Sequence, residues 1–168
     1  MKPEAYQRQL ILYLNNKAFE QAYDFAKQYV GEHPDDMVAH FLLSKAALWQ
    51  GKYEETVLEA RKAFNLARNE ADMVMCAIHA CIAYYRLQQY DKGFELLQAL
   101  DRIRTCEETE QLAFLFSLAV GNDVEARKHF NAMMTIDSDA AMGFLKEISE
   151  GANFDYDKLF RKTDRFSY

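Results

Sequence analysis

The sequence predicts an all-α fold built from pairs of antiparallel helices. Only six glycines and two prolines occur in 168 residues, which is too few for the turns of a many-stranded sandwich or barrel. The dominant residues are Ala, Leu, Glu, Gln and Lys, which favour helices. A turn-and-helix pattern also recurs four times along the chain, which is typical of a repeat protein.

The recurring pattern is a turn, often followed by an aromatic residue, with a small residue three positions after the aromatic. The small residues are Ala22, Thr56, Gly93 and Ala126, and successive members lie 34, 37 and 33 positions apart. The second unit is the clearest. From Tyr53 onward its apolar or small residues recur at positions 53, 56, 57, 60, 63 and 64, which is one face of a helix. We therefore predict a tight helical hairpin there.

Helix starts are predicted from capping residues. The pair 35–36 (Asp-Asp) follows Pro34, and Thr105 with Glu108 has the spacing of a capping box. The acidic run 137–139 precedes another amphipathic stretch, which we expect to be helical from Asp139 to Glu150.

These residues and spacings resemble the tetratricopeptide repeat family, whose unit is 34 residues of two antiparallel helices. The matching positions are Tyr13, Phe19, Ala22, Ala26 and Pro34 in the first unit, Leu43, Ser44, Ala47, Gly51, Tyr53, Thr56, Ala60 and Ala63 in the second, Cys81, Tyr84, Tyr90 and Gly93 in the third, and Gly121, Ala126 and Phe130 in the fourth. The first unit has Gln9 and Leu10 where leucine and glycine are usual. The third unit needs three extra residues before it, and the fourth lacks the aromatic and the closing proline.

The resemblance implies one domain over residues 1–168, folded as a right-handed α-α superhelix (solenoid) of about four helix pairs plus a C-terminal capping helix. The repeats are expected at about 3–36, 37–70, 71–105 and 106–138. Residues 139–168 would form the capping helix and a C-terminal tail, because stacked repeats expose an apolar end. Within that tail, Phe154–Phe160 is expected to form a short helix or to dock in the groove or on a partner.

The resemblance also implies a concave groove lined by the first helix of each unit. Its lining would be apolar and aromatic with few charges: Ile11, Leu14, Phe41, Lys45, Leu48, Trp49, Met75, Ile78, Ile82, Tyr85, Arg86, Leu115 and Leu118. Trp49 and Tyr85 are the expected anchors, because Trp and Tyr often carry interface energy. Two interpretations remain open. The lining is covered by neighbouring helices or the C-terminal segment, or it receives an apolar peptide or amphipathic helix.

The expected function is therefore a protein-interaction scaffold or adaptor whose partner is a protein or peptide. One alternative is a type III secretion class chaperone that holds an apolar segment of a client, and a neighbouring secretion gene cluster would favour it. Another is a structural homodimer. The carboxylate clamp by which some family members hold heat-shock chaperones is missing, because the corresponding positions are Gln7, Ile11, Leu42, Met75 and His79.

Catalytic and metal-binding patterns were sought in the same sequence. Cys76 and His79 share a helix face, but Cys81 lies on another side, and a metal site needs three or four converging ligands. No phosphate-binding loop, nucleophile elbow or paired-histidine zinc motif occurs. The sequence thus predicts no enzyme, no cofactor and no metal.

Charge and apolar patterning indicate the expected partners and location. A formal net charge of −6 disfavours nucleic acid. No apolar run reaches the roughly 18 residues of a membrane span. The start at 1–7 is too polar for a signal peptide. With three cysteines expected to be reduced, we predict a cytoplasmic protein without nucleic-acid or membrane partners.

Overall fold

The computed structural model describes residues 1–150 and Phe166, and every regular element in this part of the chain is an α-helix. The helices are α1 (Pro3–Asn15), α2 (Phe19–Glu32), α3 (Met37–Trp49), α4 (Tyr53–Leu66), α5 (Glu70–Arg86), α6 (Tyr90–Ile103), α7 (Glu107–Ala119), α8 (Asp123–Ile136) and α9 (Ser138–Ser149). The prediction of an all-α fold is confirmed. None of these helices is both long enough and apolar enough to cross a membrane.

Consecutive helices pack on each other along the whole series from α1 to α9. In addition, α1 contacts α3, α3 contacts α5, and α5 contacts α7. The core forms three hydrophobic clusters in chain order. Phe64 packs against both the first and the second cluster. Tyr85 packs against both the second and the third. This packing is consistent with a helical repeat, in which each unit is stabilised mainly by its neighbours.

The same turn joins the two helices of each of the first four pairs. Its middle residue lies in the left-handed region, with φ of 57° at Lys17, 72° at Gly51, 58° at Gln88 and 72° at Gly121. In every case the next amide donates to the carbonyl five residues earlier, as from Lys52 to Ala47 over 2.9 Å. These bonds satisfy carbonyl groups left open at the end of the odd-numbered helix.

The turn geometry predicts opposite effects for two substitutions. Gly51→Ala is expected to lower the free energy of unfolding by about 1 kcal/mol, because a side chain disfavours left-handed backbone. The added Cβ has room, 3.9 Å from the Tyr53 ring, so the loss comes from the backbone alone. Gln88→Gly relieves the same strain and is expected to raise stability by up to about 1 kcal/mol. Urea denaturation measures both, and changes of the same sign would contradict this explanation.

The extra residues before the third unit are accommodated inside a helix. Helix α5 has 17 residues, whereas α1, α3 and α7 have 13 each. The extension is at the start of α5, where the Asn69 side chain caps the helix by accepting from the Asp72 amide at 2.8 Å. The connection before α5 stays short as a result.

The caps agree with the predicted helix starts except at α7. Asp36 accepts from the Val38 amide at 2.9 Å, and Asp137 caps α9 by accepting from the Ala140 amide at 3.0 Å. The capping box predicted at Thr105 is wrong by one residue. Helix α7 begins after Cys106, whose amide donates to the Thr109 hydroxyl over 3.2 Å. Thr109 replaces the usual Glu or Gln of a capping box, because its hydroxyl oxygen accepts the hydrogen bond from the Cys106 amide as a carboxylate oxygen would. The helix considered for 154–160 lies outside the described residues.

Candidate binding surface

Helices α3, α5 and α7 are buried around almost their whole circumference. Every residue is buried in the ranges 38–48, 74–84 and 108–117. Helix α4, in contrast, buries a single stripe of small and polar residues, Thr56, Glu59, Ala60 and Ala63. A helix that is buried on all sides is covered on the face away from its hairpin partner as well.

We use the term odd-helix face for the thirteen residues that the sequence predicts to line the groove. The structure buries eight of them: Leu14, Phe41, Lys45, Leu48, Met75, Ile78, Ile82 and Leu115. Ile11, Trp49 and Tyr85 are half-buried, Arg86 is exposed, and Leu118 is 42 % exposed. The face is thus closed along its middle and accessible near the turns that end the odd-numbered helices.

Phe41 is at the centre of the buried part. The His79 ring stacks on it with the ring centroids 4.6 Å apart and the planes within 14°. Ser44 donates to the Phe41 carbonyl at 2.7 Å, and its oxygen is also 2.7 Å from His79 Nδ1. Because the Ser44 hydroxyl has a single proton, Nδ1 is the donor in the second bond. These bonds fix the orientation of His79, and we call Phe41, Ser44 and His79 the Phe41 cradle.

A side chain from outside helices α1 to α9 lies on this cradle. The Phe166 ring is tilted against the Phe41 ring, with the centroids 5.6 Å apart and the planes at 41°. Phe166 is half-buried and packs on the first core cluster. The tilt is a favourable arrangement for two aromatic rings. The odd-helix face therefore accommodates an aromatic side chain that belongs to none of its own helices.

An open pocket collects four of the predicted residues. It has a volume of about 140 Å³ and is lined by Leu48, Trp49, Gly51, Tyr53, Ile82 and Arg86. Pockets for small molecules usually have about 300–1,000 Å³. The Trp49–Arg86 pocket, as we call it, has room for one bulky side chain. Its walls come from two successive helix pairs.

The polar edge of this pocket is held in place by an aromatic residue. Arg86 Nε donates to the Tyr53 hydroxyl over 2.9 Å, and the guanidinium lies 5.5 Å from the centre of the Tyr53 ring. Trp49 stacks on Phe19 with the ring centroids 5.8 Å apart. The pocket thus combines an apolar interior with a cationic edge, a pairing suited to an apolar side chain beside an acidic group.

The two expected anchors have different surroundings. Trp49 lines the pocket, whereas Tyr85 packs edge-on against Phe116, with the centroids 5.4 Å apart. Tyr85 therefore contributes to the core between the second and third clusters. Leu118 lines a different cavity of about 380 Å³, together with Phe114, Phe130 and Leu145 among other residues.

A buried charge cluster is present that the sequence analysis did not identify. His40 Nδ1 lies 2.6 Å from Glu59 Oε2, and His40 Nε2 lies 2.7 Å from the Pro34 carbonyl. Because both ring nitrogens face acceptors, the charged imidazolium fits the site. The hydrogen bond to Glu59 raises the pKa of His40. Burial alone would raise the pKa of Glu59, but hydrogen bonds from His40 and Lys62 outweigh it and lower that pKa.

The fourth helix pair repeats this contact with the partners exchanged. His129 Nδ1 of α8 lies 2.7 Å from Glu110 Oε2 of α7. Both pairs join residues 19 positions apart across a turn. In the first unit the same spacing places the rings of Tyr6 and Phe25 4.9 Å apart. A search for His and Glu at this separation would have found the pairs once the turns were located.

The thiols are not arranged for chemistry. Cys76 and Cys81 are buried thiols, and Cys106 is half-buried. Burial raises the pKa values of Cys81 and Cys106, which disfavours the nucleophilic thiolate. Within residues 1–150 and Phe166, no three His, Cys, Asp or Glu side chains converge as metal ligands would.

Comparison with known proteins does not assign the chain to a family, since no family model and no curated protein matches it. Function is therefore inferred from the packing of the helices and from the surfaces described above.

Proposed function

We propose that this protein is a tetratricopeptide-like adaptor that binds a peptide or an amphipathic helix of another protein on the odd-helix face. The Trp49–Arg86 pocket carries the proposal, because it is open, fits one side chain and is shared by two successive helix pairs. The four equivalent turns support the resemblance to this family and a superhelical arrangement of the pairs. Repeat proteins of this kind commonly use an extended surface for binding.

The bound segment would place one apolar anchor in the pocket and an acidic group beside Arg86. Peptides recognised in this way bind through a few anchors rather than through the whole contact area. We propose no catalytic role. His40 and His79 are buried and are held by neighbouring side chains. Neither is placed to act as a general base, because a general base must reach a substrate.

The proposal predicts that the pocket edge controls affinity. Partners captured from a lysate of the source cells would be identified by mass spectrometry, and the affinity of the partner segment would be measured by calorimetry. Arg86→Ala and Trp49→Ala are each expected to weaken binding by about 2 kcal/mol, roughly 30-fold, because the bound segment would cover both side chains.

Leu58→Ala is the matched control, because Leu58 is 54 % exposed on α4, outside the pocket. It is expected to leave affinity unchanged. Trp49 also stacks on Phe19, so circular dichroism must show that each variant remains helical. Full affinity in a folded Arg86→Ala variant would contradict the proposed use of this pocket.

Self-association is a second candidate, favoured by exposed apolar side chains near the far end of the helix series. Val120 is 46 % exposed, Val124 of α8 77 % and Met142 of α9 52 %. Exposed apolar side chains can mark an interface, and a two-fold dimer would bury the same residues from both copies. Light scattering distinguishes a dimer from a monomer.

A further inference from the structure

We infer that the odd-helix face has an occupant within the chain itself, Phe166, whose ring on the Phe41 cradle takes the place of a partner's aromatic side chain. The inference rests on the proposed function, since it concerns the same face. A partner would have to displace the Phe166 ring before its own side chain could pack on Phe41.

Contact and burial support the inference. Phe166 packs on Phe41, which the sequence predicts to line the groove and which is fully buried. Lys45, one turn further along α3, is 6 % exposed, and Met75 of α5 is 3 % exposed. A lysine is rarely buried to this extent. The middle of the odd-helix face is therefore covered, and Phe166 is one of the side chains that pack there.

The length of the segment allows this contact within one molecule. Helix α9 ends at Ser149, and Phe166 follows Glu150 by 16 residues. Packed helices are spaced by about 8–10 Å, so the three steps from α9 back to α3 along the odd-numbered helices span roughly 30 Å. A chain of 16 residues reaches up to about 55 Å. The connection is long enough with residues to spare.

Competition binding tests the inference in the full-length chain. The probe is a fluorescein-labelled peptide with the sequence of residues 158–168, and its binding is followed by anisotropy. A tethered segment competes at an effective concentration in the millimolar range. The Phe166→Ala chain is therefore expected to bind the peptide at least 10-fold more tightly than the wild-type chain does. A peptide carrying the same substitution is expected to bind neither chain.

Phe160→Ala is the matched control, because it removes the same side chain from the same segment. It is expected to leave peptide binding at the wild-type level, and equal tightening by both variants would contradict Phe166 as the anchor. Equal binding to the wild-type and Phe166→Ala chains, or binding to neither, would overturn the inference. The Arg86→Ala measurement would be unaffected by that result, so failure of the occupant and failure of the proposed function are distinguishable.

Discussion

Gly93→Ala is expected to lower the free energy of unfolding by about 2 kcal/mol. A Cβ atom at this position would lie 2.2 Å from Cε1 and 2.3 Å from Cζ of Phe116, far inside van der Waals contact. The Phe116 ring cannot move away easily, because it is fully buried and meets the rings of Tyr85, Tyr90 and Phe94. Overpacking of this kind costs about 1–3 kcal/mol or more, and the better helix propensity of alanine offsets only part of it.

Gly143→Ala is the matched control for this prediction. Gly143 is also inside a helix, α9, but nothing lies within 4 Å of an added Cβ there. The substitution is expected to raise stability by about 0.5–1 kcal/mol through helix propensity alone. Guanidinium denaturation at constant pH measures both variants. If Gly93→Ala were as stabilising as Gly143→Ala, the close approach of α6 to Phe116 would be wrong.

Glu59→Gln is expected to lower the free energy of unfolding by about 3 kcal/mol near pH 5.5, because it leaves the buried His40 without its anionic partner. The loss should depend on pH. The raised pKa of His40 means that its contribution is complete below its ordinary value of 6.5 and is lost as the pH rises through the raised value. The lowered pKa of Glu59 means that its contribution is complete above 4.5 and is lost as the pH falls through the lowered value.

The pair is therefore most stabilising between about pH 4.5 and 6.5. Urea denaturation at pH 5.5 and pH 9 should show a smaller difference between wild type and Glu59→Gln at the higher pH. Glu54→Gln is the control, because Glu54 is exposed in the first turn of the same helix. It is expected to change stability by less than about 0.5 kcal/mol at both values. A Glu59→Gln difference that stays constant with pH would falsify the proposed charge state of His40.

The positions of the turns could be predicted because they leave a local mark in the sequence. The small residues Ala22, Thr56, Gly93 and Ala126 have the same spacing as the left-handed turn residues five positions before them. The start of α7 was predicted one residue too early, because Thr105 and Cys106 each lie three positions before a residue that can complete a capping box. Capping sequences alone rarely decide between adjacent positions.

The state of the odd-helix face could not be predicted in the same way. Helix α3 has apolar residues on every side, including Phe41, Leu42 and Leu43 in succession, a pattern that indicates burial all around. The pattern does not say what provides the cover. Phe166 lies 125 positions from Phe41 in the sequence, and no periodicity links them. The pairing of His40 with Glu59 likewise depends on the register between two helices, which composition does not reveal.

The reversed order of the two histidine–glutamate pairs bears on how the hairpins find their correct partners. If α3 packed on α8 in the register of the native pairs, His40 would face His129. If α7 packed on α4 in that register, Glu110 would face Glu59. Either arrangement would place each buried side chain against one of its own kind instead of its hydrogen-bonding partner, which disfavours both. Non-equivalent helices of nearly equal length would otherwise be easily exchanged. The two pairs therefore give this array of similar hairpins a means to reject pairing between the wrong helices.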